Sequence, residues 1–395
     1  MVEEENKCIL FISHEATRTG APIALLHLLR WLQRETNWEI HILLLTGGEL
    51  EADFRAIGET YLWEAPLLPG VWPHRWQRLK QLAKVPDARK QKLLARFKQV
   101  SPVIIYANSV VSLALGVELK RKLGARLVSH IHELNVLLQK LITPHAFAQL
   151  SSHVDAFVTV SQAAKSNLVH AHGIPQAKVT VLFACIDSLE AAQYQQAGSS
   201  LRAALGIPPD AFVVLSSGSL NWNKSPDLFV QVALQATLTA EDMPFFIWLG
   251  GRMQEAIGRE LEHDIACAGL GEHIRFIDTQ PNPQVYMSMC DLFMLPSRED
   301  SFGLVGLEAA SLGKPVLCFE GGGGMPEFVE QDAGLVIPYL RTDLMAQAIL
   351  TLQANPAKRL TLGDQAAKKQ RQRHATTTVL PQLDVLLRRL VQATR

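Results

Sequence analysis

The chain has 395 residues, more than one hydrophobic core ordinarily serves, so two domains are expected. Apolar residues make up 48% and charged residues 19%, the profile of a soluble globular protein, and 38 Lys plus Arg balance 38 Asp plus Glu, so net charge predicts no polyanionic partner. Cys8, Cys185, Cys267, Cys290 and Cys318 are scattered, without a CxxC pair or a nearby His at zinc spacing. That pattern fits buried thiols in a reducing compartment and excludes a disulfide framework.

Residues 1–7 are acidic, and the apolar run 8–13 is too short for a signal-peptide core. The longest apolar stretch, 102–117, is interrupted by Tyr106, Asn108, Ser109 and Ser112 and falls short of a membrane span. A cytoplasmic protein is expected, with peripheral association at the inner face of the membrane left open. Residues 8–13 read as a first strand, 22–33 as an amphipathic helix and 39–45 as a second strand. Residues 74–100 hold nine Lys or Arg against one acid, Asp87, interleaved with Trp76, Leu79, Leu82, Leu93, Leu94 and Phe97 and divided by Pro86. Two solvated helices would explain this stretch, and so would a patch for anionic lipid headgroups or a lipid-linked acceptor. No nucleic-acid motif accompanies the charge.

Strands follow at 103–106, 127–130 and 156–160, with 179–183 as the last of this half. Residues 187–200 are polar and read as a linker or irregular helix. A second strand–helix series then places strands at 212–216, 245–249, 274–277, 292–295, 316–319 and 334–337. The alternation predicts an α/β fold of two Rossmann-like domains, 1–190 and 205–375, facing across a cleft, with ligands beyond the carboxyl ends of the strands. Residues 376–395 form a tail that reads as a helix interrupted by Pro381, in which Leu383, Val385, Leu386 and Leu390 need burial.

The segment 292–308 is the most informative. A buried strand ends at Pro296, a polar loop follows, and a helix begins near Leu304. Amides at such a helix start, with its positive dipole end, suit a diphosphate, and Gly303 and Gly306 allow close approach of a ligand. Glu308 could accept from a ribose diol, and Asp300 lies nearer a reacting sugar. Asp300 or Ser301 could instead be a plain helix cap. After the strand 316–319 comes the run Gly321–Gly324, suited to main-chain amides wrapping a ligand or to a flexible surface loop.

These motifs resemble the retaining glycosyltransferases of family 4, with the GT-B fold: a carboxylate, seven residues, Glu, then Gly-x-Pro-Val and a Gly-Gly-x-Pro-Glu loop. The likeness extends over essentially the whole chain. Asp300 and Glu308 keep the spacing, with Asp in place of the family's first Glu. Ser217 to Asp227 is similar to the family's Gly-Arg-Leu-x-x-x-Lys-Gly-x-Asp motif; Lys224 is kept, but Ser219 stands at the Arg position and Asn223 where a closer subgroup has Arg. Thr19, Gly20 and Ala21 match the glycine loop near acceptor and donor phosphates, and His132 matches the histidine that contacts the donor sugar. If the strand continued, His130 and His132 would point to opposite sides and make poor joint metal ligands.

The resemblance implies front-side transfer of a sugar from a nucleotide diphosphate donor to a glycan or lipid-linked acceptor. His132, Lys224 and Asp300 are the implied catalytic residues. Gly20, Gly303, Leu304, Val305, Glu308, Gly322, Gly323 and Gly324 are the implied donor-binding residues. No metal or cofactor is implied. The N-terminal domain would take the acceptor and the C-terminal domain the nucleotide sugar, with the last helix returning to the N-terminal domain. A nucleotide-sugar-binding protein with weakened catalysis and a GT-B epimerase are the alternatives.

Overall fold

The computed structural model describes residues 7–63, 87–238, 240 and 242–392. It divides into two compact units, residues 1–184 with 376–395, and residues 185–375.

The first unit is built on a seven-stranded parallel sheet. Its strands are β1 (Cys8–Ser13), β2 (Glu39–Leu44), β3 (Glu59–Leu62), β4 (Ile104–Asn108), β5 (Arg126–Ile131), β6 (Ala156–Thr159) and β7 (Val179–Val181), in the spatial order β3-β2-β1-β4-β5-β6-β7. The central strands are buried on both faces, which is why they read as unbroken apolar runs. Leu10, Ile12, Ile105, Leu127 and Phe157 belong to the core they share with Phe97 and Leu113. The helix Gly20–Glu35 follows β1, and the helix Thr376–Gln392 packs against it. Trp38 Nε1 donates to Asp384 at 2.6 Å, and the Arg388 guanidinium lies 5.3 Å from the Trp38 ring.

That last helix corrects one expectation. It runs through Pro381 without a break, and Thr376, Val379, Leu380, Leu383 and Leu387 are buried while Val385 is exposed. Leu383 and Leu387 are one turn apart, so one stripe faces the body and Val385 falls off it. Only part of the basic stretch lies within the described residues: Asp87–Val100 is a helix that buries Phe97, while Trp76, Leu79, Leu82 and Pro86 lie outside.

The second unit carries a six-stranded parallel sheet, β8 (Val213–Ser217), β9 (Phe245–Leu249), β10 (Ile274–Ile277), β11 (Leu292–Leu295), β12 (Val316–Phe319) and β13 (Gly334–Ile337). Its order is β10-β9-β8-β11-β12-β13. Phe229, Phe246, Trp248, Met294 and Leu317 are central to its core. The stretch 187–200, read as a linker or irregular helix, gives way to a regular helix, Ala191–Ala204, packed on the helix Pro283–Met289, with Arg202 bonded to Asp291 at 2.7 Å. Of the five cysteines, four are buried as expected, but Cys267 is exposed, with Sγ 3.6 Å from His263 Nε2 one helical turn earlier. No helix among the described residues is long and apolar enough to cross a membrane.

Candidate active site

In each sheet the strand order reverses once, between β1 and β4 in the first unit and between β8 and β11 in the second. Loops leaving the carboxyl ends diverge at such a reversal and open a crevice there. The predicted residues lie on those loops or on the next ones.

In the second unit three loops meet. The loop after β8 carries Lys224, whose amide donates to Asn221 Oδ1 at 3.0 Å. Ser225, in a left-handed conformation, then turns the chain into the helix Pro226–Thr237. The loop after β11 carries Asp300, and its Arg298 amide donates to Asn223 O at 2.9 Å. The loop after β12 carries Gly321–Gly324. Asp300 N donates to Gly322 O at 2.8 Å, and Gly324 N donates to Asp300 O at 3.2 Å, a small parallel bridge between two loops.

Lys224 Nζ and Asp300 Oδ2 form a short ion pair across this junction. Two glycines are required by the close fit. A Cβ on Gly322 would lie 2.9 Å from Ser297 O. Gly303 has φ +83° at the helix cap, and a Cβ there would sit 3.1 Å from Asp300 Oδ2. The helix Leu304–Ser311 starts where expected, with Leu304 and Val305 in its first turn and half-buried Glu308 one turn on. The glycine run differs from expectation in one respect: Gly322 N donates to Phe319 O and Gly324 N to Asp300 O, so these amides serve the loop's own fold.

Beside the junction lies a pair the sequence reading did not single out. Arg298 grips Asp227 through both guanidinium nitrogens, at 2.8 and 2.6 Å. Burial raises the Asp227 carboxyl, but the Arg298 hydrogen bonds and charge outweigh it, so its pKa falls. The pair ties the start of the helix after Lys224 to the Asp300 loop. Its sequence signal is a carboxylate three residues after Lys224 and an Arg two before Asp300.

In the first unit, His132 follows β5. Its Nε2 lies 2.8 Å from Asn108 Oδ1, and Asn108 Nδ2 donates to Ala21 O at 3.0 Å. A carbonyl only accepts, so Asn108 must present its amide nitrogen to Ala21 and its oxygen to His132. The His132 proton therefore sits on Nε2, and Nδ1 keeps its lone pair. Although His132 retains some surface exposure, surrounding protein lowers its pKa to about 3, burial acting first and the charge of His14 next. The ring is neutral at physiological pH.

The rings of His130 and His132 lie together, with centroids 4.0 Å apart, which overturns the expectation that they diverge. Residues two apart on an extended chain share a face. His130 is fixed by Tyr106 Oη at 2.8 Å and is pushed well below its ordinary pKa, by burial first.

Glu133 was also missed. Its buried carboxylate accepts from the Ser109 hydroxyl at 2.5 Å and from the amides of His132 at 2.9 Å and Val110 at 3.2 Å. Burial nevertheless raises its pKa. Thr19, just before Gly20, donates its hydroxyl to Glu15 at 3.1 Å.

Two family models match, together spanning most of the chain: glycosyltransferase family 4 over residues 18–188 and glycosyl transferases group 1 over residues 199–369. The D-inositol 3-phosphate glycosyltransferase of Kribbella flavida is 28% identical over 231 residues, 56% of this chain and 53% of that protein. The O-antigen biosynthesis glycosyltransferase WclY of Escherichia coli is 31% identical over 144 residues, 36% of this chain and 38% of that one. The alignments thus span about a third to a half of these curated relatives. Among solved structures, Anabaena HepE in complex with UDP and glucose superposes with a TM-score of 0.79 at 22% identity, covering 96% of this chain and 98% of HepE. Two parallel Rossmann-like sheets, the matching family models and that likeness of fold converge: the chain belongs to the group 1, family 4 glycosyltransferases and has the GT-B fold.

Proposed function

We propose that this chain moves a sugar from a nucleotide diphosphate donor to an acceptor hydroxyl with retention of configuration. The observation that carries the reading is the meeting of Lys224, Asp300 and the glycine loop at the β8/β11 reversal. Lys224 exchanges its carboxylate partner for the donor diphosphate and stabilises the charge that develops as the diphosphate leaves. The amides at Leu304 and Val305 and the dipole of their helix bind the same group, with Gly303 allowing close approach. In the second unit Asp300, released from Lys224, holds the sugar and Glu308 holds the ribose; in the first unit His132 is the candidate hydroxyl-binding residue. Gly322–Gly324 allow close approach in the second unit, and Gly20 does so in the first. The acceptor oxygen forms its bond to the anomeric carbon on the face from which the phosphate oxygen departs, and the acceptor proton goes to that oxygen.

A uridine diphosphate sugar is the first donor to test, since HepE is complexed with UDP. The acceptor is a polysaccharide or glycolipid intermediate, reached with the basic stretch 74–100 against an anionic membrane surface at the cytoplasmic face. The decisive experiment is donor turnover, with and without acceptor extracts, across UDP-, GDP- and ADP-sugars. Turnover that disappears in Lys224→Ala supports transfer. Binding of every such donor without turnover would leave a nucleotide-sugar-binding protein.

That second reading has its own observation. Ser219 stands where the family has an arginine and Asn223 where a closer subgroup has one, and Arg298 is committed to Asp227. A third, epimerisation, would release an altered sugar without any acceptor.

A further inference from the structure

The amino edge of the first sheet gathers a different chemistry from its carboxyl edge. Cys8 opens β1 and pairs across the parallel ladder with Glu39, the first residue of β2. His41, two residues on and so on the same face as Glu39, pairs with Glu59 of β3. The Cys8 sulfur, a Glu39 carboxylate oxygen and a His41 ring nitrogen all lie within 4.8 Å of one another.

Cys8 and His41 are buried, while the Glu39 side chain is 53% exposed, so the cluster has a closed floor and an opening to solvent. The imidazole is held at both nitrogens, Nδ1 3.0 Å from Tyr61 Oη and Nε2 2.8 Å from Glu39 Oε1. Burial and the charges of Glu39 and Glu59 push the Cys8 thiol up to about 12. Facing groups also include Arg96, which pairs with Glu59 at 2.8 Å and leaves Glu39 uncompensated by it.

We propose that Cys8, Glu39 and His41 form a binding site for a divalent transition ion of the zinc type. A thiolate, an imidazole and a carboxylate are the donor set that such an ion prefers over magnesium or calcium. Tetrahedral bonds of about 2.0–2.3 Å separate ligand atoms by roughly 3.5 Å, against separations here of up to 4.8 Å, so closure needs an adjustment of up to about 1 Å shared among the three side chains. With Nε2 on the metal, the ring proton sits on Nδ1 and is donated to Tyr61 Oη, an outer partner that fixes the ring. The Cys8 thiol loses its proton to solvent as the sulfur–metal bond forms, so binding strengthens with rising pH. Water fills the fourth position. The ion ties β1 to β2 at the amino edge of the first sheet and shares no residue with the proposed transfer site, so the inference stands independently of that reading.

The test is Co²⁺ titration of the full chain, stripped by chelator and kept reduced. One Co²⁺ per chain is expected, with a thiolate-to-cobalt charge-transfer band in the near ultraviolet. The band should survive Cys267→Ser, which removes the exposed Cys267–His263 pair, and vanish in Cys8→Ser. Glu39→Ala, at an exposed position tolerant of change, should weaken Co²⁺ by more than about tenfold, the lower end of what even outer partners contribute. Zn²⁺ should raise the unfolding temperature of the unmodified chain and not of Cys8→Ser. Absence of the band, or a band lost in Cys267→Ser and kept in Cys8→Ser, overturns the proposal.

Discussion

At the carboxyl edge of the second sheet charge is met by charge: Lys224 with Asp300, and Arg298 with Asp227. At the carboxyl edge of the first sheet burial itself sets protonation, depressing His130 and His132 and raising Glu133. The first arrangement stores full charges that a charged ligand can exchange. The second offers the neutral rings of His130 and His132, hydrogen-bonding groups suited to hydroxyls, because uncompensated charge there is costly.

The largest expected effect comes from removing the exchangeable cation. Lys224→Ala should lower kcat on the order of 10²–10³-fold, the scale for losing one preorganised stabiliser of developing charge. A loss confined to KM would instead assign Lys224 to uniform binding. In the first unit, Asn108→Ala strips partners from Ala21 O and His132 Nε2 at a fully buried position. Denaturant titration should show a loss of about 1–3 kcal/mol.

The buried groups also predict a pH dependence. His132 is depressed from 6.5 to about 3, so its contribution is complete above pH 6.5 and is lost progressively as pH falls towards 3, while the unfolded imidazole takes up a proton. His130 acts in the same direction. Glu133, raised above 4.5, acts oppositely: its contribution is full below 4.5 and is lost as pH rises through its folded value. Stability of the first unit should therefore fall between pH 6.5 and 5, and Glu133→Gln should steepen the fall by removing the counterweight. A flat profile in both proteins would contradict the burial argument.

The smallest effect concerns the Arg298–Asp227 pair. Asp227 is 43% exposed, so screening should hold the coupling energy in an Arg298→Leu, Asp227→Leu cycle to about 1 kcal/mol or less. Its larger consequence should be a raised donor KM, since the pair aligns the Lys224 and Asp300 loops.

Much of this was legible in the chain. Five strands of the second sheet, from Phe245–Leu249 to Gly334–Ile337, fall at the expected bounds, because parallel strands covered on both faces read as apolar runs punctuated by turn residues. The short edge strand Glu59–Leu62 escaped notice because it is half-exposed, without a continuous apolar signal. The helix Ala191–Ala204 was obscured by Gln, Ser and Gly, and its packing against Pro283–Met289 is a tertiary contact no local window contains. In the site, Lys224, Asp300 and Gly303 could be picked out from motif spacing. Asn108 and the Arg298–Asp227 grip could not, since their meaning lies in partners 24 to 87 positions away.

The Lys224–Asp300 pair has one further consequence. If the proposed donor site is right, Asp300 is a placeholder anion, and an arriving phosphate would replace a carboxylate and not meet a bare ammonium. The electrostatic gain on entry is a difference between two similar attractions. Selectivity among anions would then follow from fit to the surrounding loops, and the cation would remain neutralised while no donor is bound.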